Sequence, residues 1–482
     1  MNFKSIKKNY IYNLILTTIN MIFPLVTAPY LSYVLGAVNI GKVNYATSIA
    51  NWFILFAAFG IPRYGIREIS RNRGSRMKLS CSFWNLLLIQ FVLSIVTIIL
   101  YILFIFSFKS FHNDISLYLL MIVMIVLNIF SIDWFYQGIE EYGYITGRNI
   151  IVKIISLILI FLMIKERNHY GLYALINILG LSFNNVLNYI NIKNYIDKKI
   201  YKIKFSYYIK QLRVYFMTTL IIALYTQLDQ IFVGALSQKD LAYYLRSKTV
   251  QGIGISIVNS LITVFIPRTA YLAKYNYDEY KDIIKKSINY IYILSFPCSA
   301  GVFLLSKEVM FLLGGQEFFP ATNSLKIISI LILISSIGGW QINQILIPNK
   351  REGLALKIQT IGAIVSVTLN LILIPRYSYI GAAITWVLTE IFLLIVESIC
   401  IKYKCRGIHV KYINKSCIKY LAATGIMSVI VLFIKKIANG NNIILLVSLV
   451  TSPIIYFGSI ILFKDEIILE IIKGIKHKYI YN

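Results

Sequence analysis

Residues 10–35 read YIYNLILTTINMIFPLVTAPYLSYVL and contain no Asp, Glu, Lys or Arg. A helix rises about 1.5 Å per residue, so about 20 apolar residues cross about 30 Å of hydrocarbon. Lys4, Lys7 and Lys8 precede the run as they would in a signal peptide. The run is too long for one, contains Pro24 and Pro29, and lacks a small-x-small cleavage site, so it reads as a retained first helix. Thirteen further stretches of this kind follow, at 43–62, 81–107, 115–138, 150–164, 170–192, 214–236, 243–266, 287–306, 321–347, 355–374, 380–401, 418–434 and 443–463. The expectation is an all-α polytopic membrane protein with 14 transmembrane helices.

The segments between these stretches alternate in charge. The N-terminus, 63–80, 139–153, 193–213, 267–286, 348–357, 402–419 and 464–482 carry 36 of the 48 Lys and Arg, and the segments on the other side carry 12. Basic loops stay in the cytoplasm, so both termini are expected there, in a bacterial inner membrane. The net charge of +28 then belongs to topology and anionic headgroups rather than to nucleic acid. With 58% hydrophobic residues, little is left for a soluble domain. Five cysteines show no CxxC pair and four histidines stand singly, so neither disulfides nor a metal site is expected. No DxD, HExxH or Walker pattern appears, and the outer loops are short, which speaks against an enzyme.

Two halves are discernible. Gly60-Ile61-Pro62-Arg63 ends the second stretch and Phe265-Ile266-Pro267-Arg268 the eighth, at corresponding places if six helices are duplicated. This divides the chain into 1–213, a six-helix bundle with a basic linker; 214–401, a second bundle; and 402–482, two accessory helices and a basic tail. Asn13, Thr17, Asn20, Pro24 and Thr27 recur at helical spacing on the first stretch. Asn44, Thr47, Ser48 and Asn51 mark the second, Thr219, Thr226, Gln227, Asp229 and Gln230 the seventh, and Thr249, Ser256, Asn259 and Thr263 the eighth. A single Ser or Thr commonly bonds to a neighbouring helix. Stripes on four helices in equivalent positions read instead as walls of a central cavity between two pseudo-symmetric bundles. Pro24 and Pro29 permit kinks beside it and are candidate gate residues.

Among charges at membrane depth, Asp229 has two readings: a coupling site for a proton or cation, or an ion-pair partner of Arg246 or Lys248. Those two cations can also grip an anion, Arg246 as a fork and Lys248 as a point charge. Asp133-Trp134 reads as an interfacial anchor. Glu390 and the Lys307-Glu308 pair are less informative; Lys153, Lys326 and Glu397 lie near helix ends, where long side chains snorkel.

The segment Asp133-Trp134-Phe135-Tyr136-Gln137-Gly138-Ile139-Glu140-Glu141-Tyr142, with Tyr144-Ile145-Thr146 and Arg148-Asn149, resembles the signature of Wzx-type polysaccharide repeat-unit flippases. These form the polysaccharide transporter branch of the multidrug/oligosaccharidyl-lipid/polysaccharide exporter superfamily. Pro24 to Leu31 with Val34-Leu35-Gly36, Phe59 to Arg73, Leu224 to Asp229, and Tyr243-Tyr244 with Lys248 resemble the same family in the same order. The resemblance covers most of the first twelve stretches. It implies two six-helix bundles around a V-shaped cavity that opens alternately to each face. It implies as substrate an undecaprenyl-pyrophosphate-linked oligosaccharide, turned from the inner to the outer leaflet for O-antigen, capsule or related polysaccharide. Membrane lipids and a polysaccharide polymerase are the implied partners; no cofactor is implied beyond a proton or sodium gradient. Asp229 and Lys248 match family positions, whereas Arg246 replaces the usual small residue. Asn20, Thr27, Asn44, Thr47, Asn51, Gln227 and Asn259 are then expected to face the sugar, with Tyr30, Tyr244 and Trp52 stacking on it. Alternatives of the same architecture are a drug/cation antiporter and a peptidoglycan-precursor flippase; a polymerase is the enzymatic one.

Overall fold

The computed structural model describes residues 6–197, 204–405, 407–408 and 410–469. Lys4, Lys198, Lys199, Lys202, His409, His477 and the tail from 470 lie outside the described residues. The described residues are mostly helical and contain no strand. The chain divides into two compact units, Met1–Ala242 and Tyr243–Asn482.

The first unit holds α1 (Ile6–Ala58), α2 (Ile61–Asn72), α3 (Arg76–Ser107), α4 (Ile115–Asn128), α5 (Asp133–Gly138), α6 (Tyr142–Met163), α7 (Tyr170–Asn191), α8 (Phe205–Thr226) and α9 (Leu228–Leu236). Helix α10 (Gln238–Tyr275) carries the chain into the second unit. There follow α11 (Tyr277–Leu304), α12 (Ser306–Gly314), α13 (Ala321–Ser329), α14 (Leu331–Trp340) with a π-helical turn over Gln341–Leu346, α15 (Glu352–Lys404), α16 (Lys415–Ile437) and α17 (Asn441–Leu462). Helices α8 and α9 pack within the first unit against α1, α2 and α3, and α16 packs on α11. The boundary between the two units falls near 242, downstream of the basic linker, and α16 and α17 lie in the second unit.

Eleven helical stretches among the described residues are long and apolar enough to cross a membrane, twelve if α8 and α9, bent by 42°, count as one. That number differs from the fourteen read from the sequence because two pairs are continuous. Stretches 10–35 and 43–62 share the 53-residue α1, and 355–374 and 380–401 share the 53-residue α15. Each turns at a single non-helical residue, Gly36 (φ 74, ψ 168) and Ser378 (φ 48, ψ −129). Glycine takes a positive φ without a Cβ clash, so the break in α1 falls at Gly36; Pro24 and Pro29 stay inside the helix.

The repeated Ile-Pro-Arg resolves differently in its two copies. Before Ile61, Gly60 adopts φ 78 and ends the helix, so Pro62 opens α2. Before Ile266 stands Phe265, and α10 continues through Pro267. The basic segment 63–80 is thus largely helix: Arg63, Arg67 and Arg71 are exposed on one face of α2, while Ile61, Tyr64, Gly65 and Ile69 are buried on the other.

The Asp133–Gly138 motif is a packing element. Helix α5 lies against α2 so closely that a Cβ on Gly65 would stand 2.6 Å from the Trp134 ring, and one on Gly138 would stand 2.8 Å from Ile69. Trp134 is 2% exposed and donates to Ser131 O, so it is a core residue and not an interfacial anchor. The Asp133 carboxylate accepts from the buried Arg148 guanidinium and from Asn188 Nδ2. Glu140, at φ 64, accepts from Arg73 Nη1 at 2.8 Å. Gln137 and Gly138 complete the turn to α6.

Removing Asp133 strands a buried guanidinium. Asp133→Ala should lower unfolding stability in detergent by about 2–4 kcal/mol, and Asp133→Ala with Arg148→Met should recover much of it. Equal thermal melts for the native protein and Asp133→Ala would refute the pairing's role.

Candidate functional site

In the first unit, α1, the start of α2, α8 and the α8–α9 bend enclose a cleft of about 520 Å³. Its polar lining is Asn51, Arg63, Thr219, Gln227 and Gln230. Asn51 and Gln227 were both expected in a cavity and are brought together here. Gln227 is exposed because the helix bends at it, and Gln230, one turn on, accepts from Ser48 Oγ at 3.2 Å. Arg63 is the addition. The sequence places it in a basic cytoplasmic segment, and only the left-handed turn at Gly60 aims the start of α2 at the cleft. A Cβ on Gly60 would stand 2.5 Å from the Phe216 backbone nitrogen, so α2 and α8 meet there with no room to spare. One guanidinium among amides and a hydroxyl suits an anionic, hydroxyl-rich headgroup.

The bend also explains Asp229. It stands in the first turn of α9, buried, and its Oδ1 accepts from the Gln230 N–H at 2.9 Å. The free N–H groups of a helix start stabilise a carboxylate. That environment accommodates a carboxylate at the bend, and no Gly or Pro announces it.

Many hydroxyls of the polar stripes turn back on their own helices. Thr17, Thr27, Thr219, Thr226, Thr249 and Ser256 each donate to the carbonyl four residues earlier. Their donors need neither a neighbouring helix nor water, so these residues are weaker markers of a cavity than their spacing suggests. Asn20 is exposed, Asn44 and Asn259 are partly buried, and Thr47 contacts Met121 Sδ at 4.0 Å. Tyr30 is committed elsewhere: its hydroxyl donates to Ile164 O at 2.6 Å and its ring lies 4.6 Å from that of Phe161. Thr27 is buried.

Lys153 departs from the expected snorkelling. It lines a small enclosed pocket with Thr27, Ser156 and Asn177, its ammonium 4.4 Å from the Phe23 ring. Glu308 pairs with Lys435 at 2.9 Å rather than with Lys307.

In the second unit, the cations of α10 diverge. Lys248 Nζ lies 4.5 Å from the Trp386 ring and 5.1 Å from the Tyr244 ring. Arg246 lies 5.1 Å from Phe318. Two residues on a helix are about 200° apart, so the pair does not converge on one anion. Tyr244 has no exposed surface and supports Lys248 instead of offering a stacking face. Among the described residues no cluster of three or more His, Cys, Asp or Glu could hold a metal ion.

Three comparisons bear on this arrangement. A family model described as "Polysaccharide biosynthesis protein" matches residues 6–273. The "Putative O-antigen transporter" of Escherichia coli (strain K12) is 22% identical over 394 residues, covering 80% of this chain and 94% of that protein. Among solved structures, "Lipid II flippase MurJ, inward closed conformation" superposes with a TM-score of 0.76 at 15% identity, over 95% of this chain and all of that one. An inward-facing multidrug resistance MATE family transporter of the MOP superfamily gives 0.55 at 13% identity, over 82% and 94%. The fold is thus common to flippases and multidrug transporters and does not choose between them.

The Tyr30 assignment is separable from substrate binding. Tyr30→Phe should cost about 1 kcal/mol of stability through the lost bond to Ile164 O. An unchanged melting temperature in detergent would contradict it.

Proposed function

The chain belongs to the polysaccharide biosynthesis protein family, and on that premise we propose that it is a flippase for undecaprenyl-pyrophosphate-linked oligosaccharide repeat units. It moves them from the inner to the outer leaflet by alternating access and so supplies surface polysaccharide assembly. The observation that carries this reading is the cleft that sets Arg63 among Asn51, Thr219, Gln227 and Gln230. A pyrophosphate with sugars attached loses many kcal/mol of hydration in hydrocarbon, and a guanidinium with amides and hydroxyls replaces that water. The polyprenyl tail needs no such shelter and stays in lipid.

The similarity to a protein named as an O-antigen transporter supports a glycan cargo. A drug/cation antiporter of the same fold calls for acidic binding residues, and Arg63 and Lys248 favour an anion instead. A peptidoglycan-precursor flippase shares the chemistry and is distinguished by lethality on depletion. The protein catalyses no bond change in this reading; a polysaccharide polymerase consumes its product.

Counting α8 and α9 together as one crossing, and α1 and α15 as two each about Gly36 and Ser378, gives fourteen crossings. An even number puts both termini on one side, and the Lys/Arg excess makes that side the cytoplasm of a bacterial inner membrane.

Deleting the gene should abolish surface polysaccharide, and purified protein in vesicles should turn over a fluorescent polyprenyl-pyrophosphate oligosaccharide. Arg63→Ala and Lys248→Ala should each reduce that turnover about 10-fold or more, since each removes a charge-assisted contact. Arg246→Ala should affect it less. Normal surface polysaccharide in the deletion strain would sink the assignment.

A further inference from the structure

The second unit holds two carboxylates that the reading above does not use, Glu397 buried and Glu390 half-buried. Glu390 and Glu397 stand seven residues apart on α15, a spacing that puts them on one face of the helix. Glu397 is 2% exposed, against the expectation that it reaches the interface. No ion pair among the described residues engages either carboxylate, and Glu397 Oε2 is buried without a hydrogen-bond partner. The facing helix is α14, whose sequence LILISSIGGW brings no charge. Glu397 packs against it at Gly338, where an added Cβ would stand 3.5 Å from Oε2. Beside Glu390 lie the Ser335 hydroxyl and the Trp386 indole N–H, both buried and neither in hydrogen-bond geometry with a partner.

The remaining groups around the pair are few. The segment after α15 brings Tyr412, whose hydroxyl accepts from Gln341 Nε2 at 2.6 Å. Lys326 of α13 is exposed. Helix α10 brings Lys248, which rests on the opposite feature of the same Trp386: its ammonium lies 4.5 Å from the ring whose N–H faces Glu390.

An ionised carboxylate taken out of water without a counter-charge costs several kcal/mol, and two such groups on one helix face repel each other. Something must neutralise them. A metal ion demands several oxygen ligands at once, and among the described residues no group of three or more His, Cys, Asp or Glu could hold one; a proton needs a single lone pair. We propose that Glu390 and Glu397 form a proton-binding site of the second unit, coupled through the Trp386 indole to Lys248. The inference deepens the proposed transport function by naming the ion and the residues that sense it. Protonating the pair alters the field at Lys248, and an anion on Lys248 alters the affinity of the pair for protons, because linkage is reciprocal.

The test uses dicyclohexylcarbodiimide, which enters from the bilayer and modifies protonated carboxyls, with peptide mass spectrometry as readout on the full-length protein in vesicles. Glu390 or Glu397 should be labelled at about pH 6 at least about tenfold more than at about pH 9. Exchanging potassium for sodium at constant ionic strength should leave labelling unchanged. Lys248→Met removes a nearby positive charge that favours the ionised carboxyl, so labelling should persist to higher pH, while Lys248→Arg should keep the native midpoint. Absence of labelling at both positions at acid pH overturns the site. Protection by sodium at fixed pH overturns the proton in favour of a metal ion. A midpoint unmoved in Lys248→Met overturns the coupling. The reagent reads protons and not glycan, so these outcomes do not depend on whether the cargo assignment stands.

Discussion

Hydrocarbon offers no hydrogen bonds, and nearly every feature of this protein follows from that. Each backbone N–H and C=O must be satisfied within the chain, so the described residues are helix, and departures from helix are confined to few residues. Two 53-residue helices change direction at one residue apiece, because a single flipped dihedral releases fewer polar groups than an open loop. The same constraint acts on side chains. Hydroxyls on α1, α8 and α10 return their protons to their own helices, which leaves only their lone pairs for a neighbour or a substrate.

Against that background, the informative groups are those the helix cannot satisfy. Lys248 on its two rings and Glu397 facing an uncharged helix are charges kept where charge is expensive, and Arg63, exposed on α2, lines the cleft. By contrast, the Asp133–Arg148 pair and the Arg73–Glu140 pair close on themselves around α5. They hold α2 in place, and α2 in turn carries Arg63 to the cleft. The motif that identifies the family is therefore scaffold for the site rather than the site itself.

Glycine is the device that lets these elements approach. Gly60 permits both the left-handed turn and the contact with α8, and Gly65 and Gly138 admit Trp134 and Ile69 between α2 and α5. A β-carbon at any of the three would push α2 away and take Arg63 with it.

Hydropathy, charge asymmetry and the Asp133–Tyr142 motif were sufficient to establish a polytopic helical membrane protein and its family, because length of apolar run and loop charge are local quantities. Asn51 and Gln227 stand out in the sequence through their place in polar stripes, and the fold brings both to the cleft of the first unit. Part of the rest was readable and missed: a two-residue spacing sends Arg246 and Lys248 to opposite sides of any helix. Other features were decided only by tertiary structure. Nothing local says that Gln227 bends a helix and puts Asp229 in a first turn, that Gly60 brings the exposed Arg63 to the cleft, or that Glu397 meets a glycine instead of the interface. Those outcomes depend on which helix packs against which, and a carboxylate or guanidinium reads the same in sequence whether its neighbour is lipid headgroup, counter-charge or nothing at all.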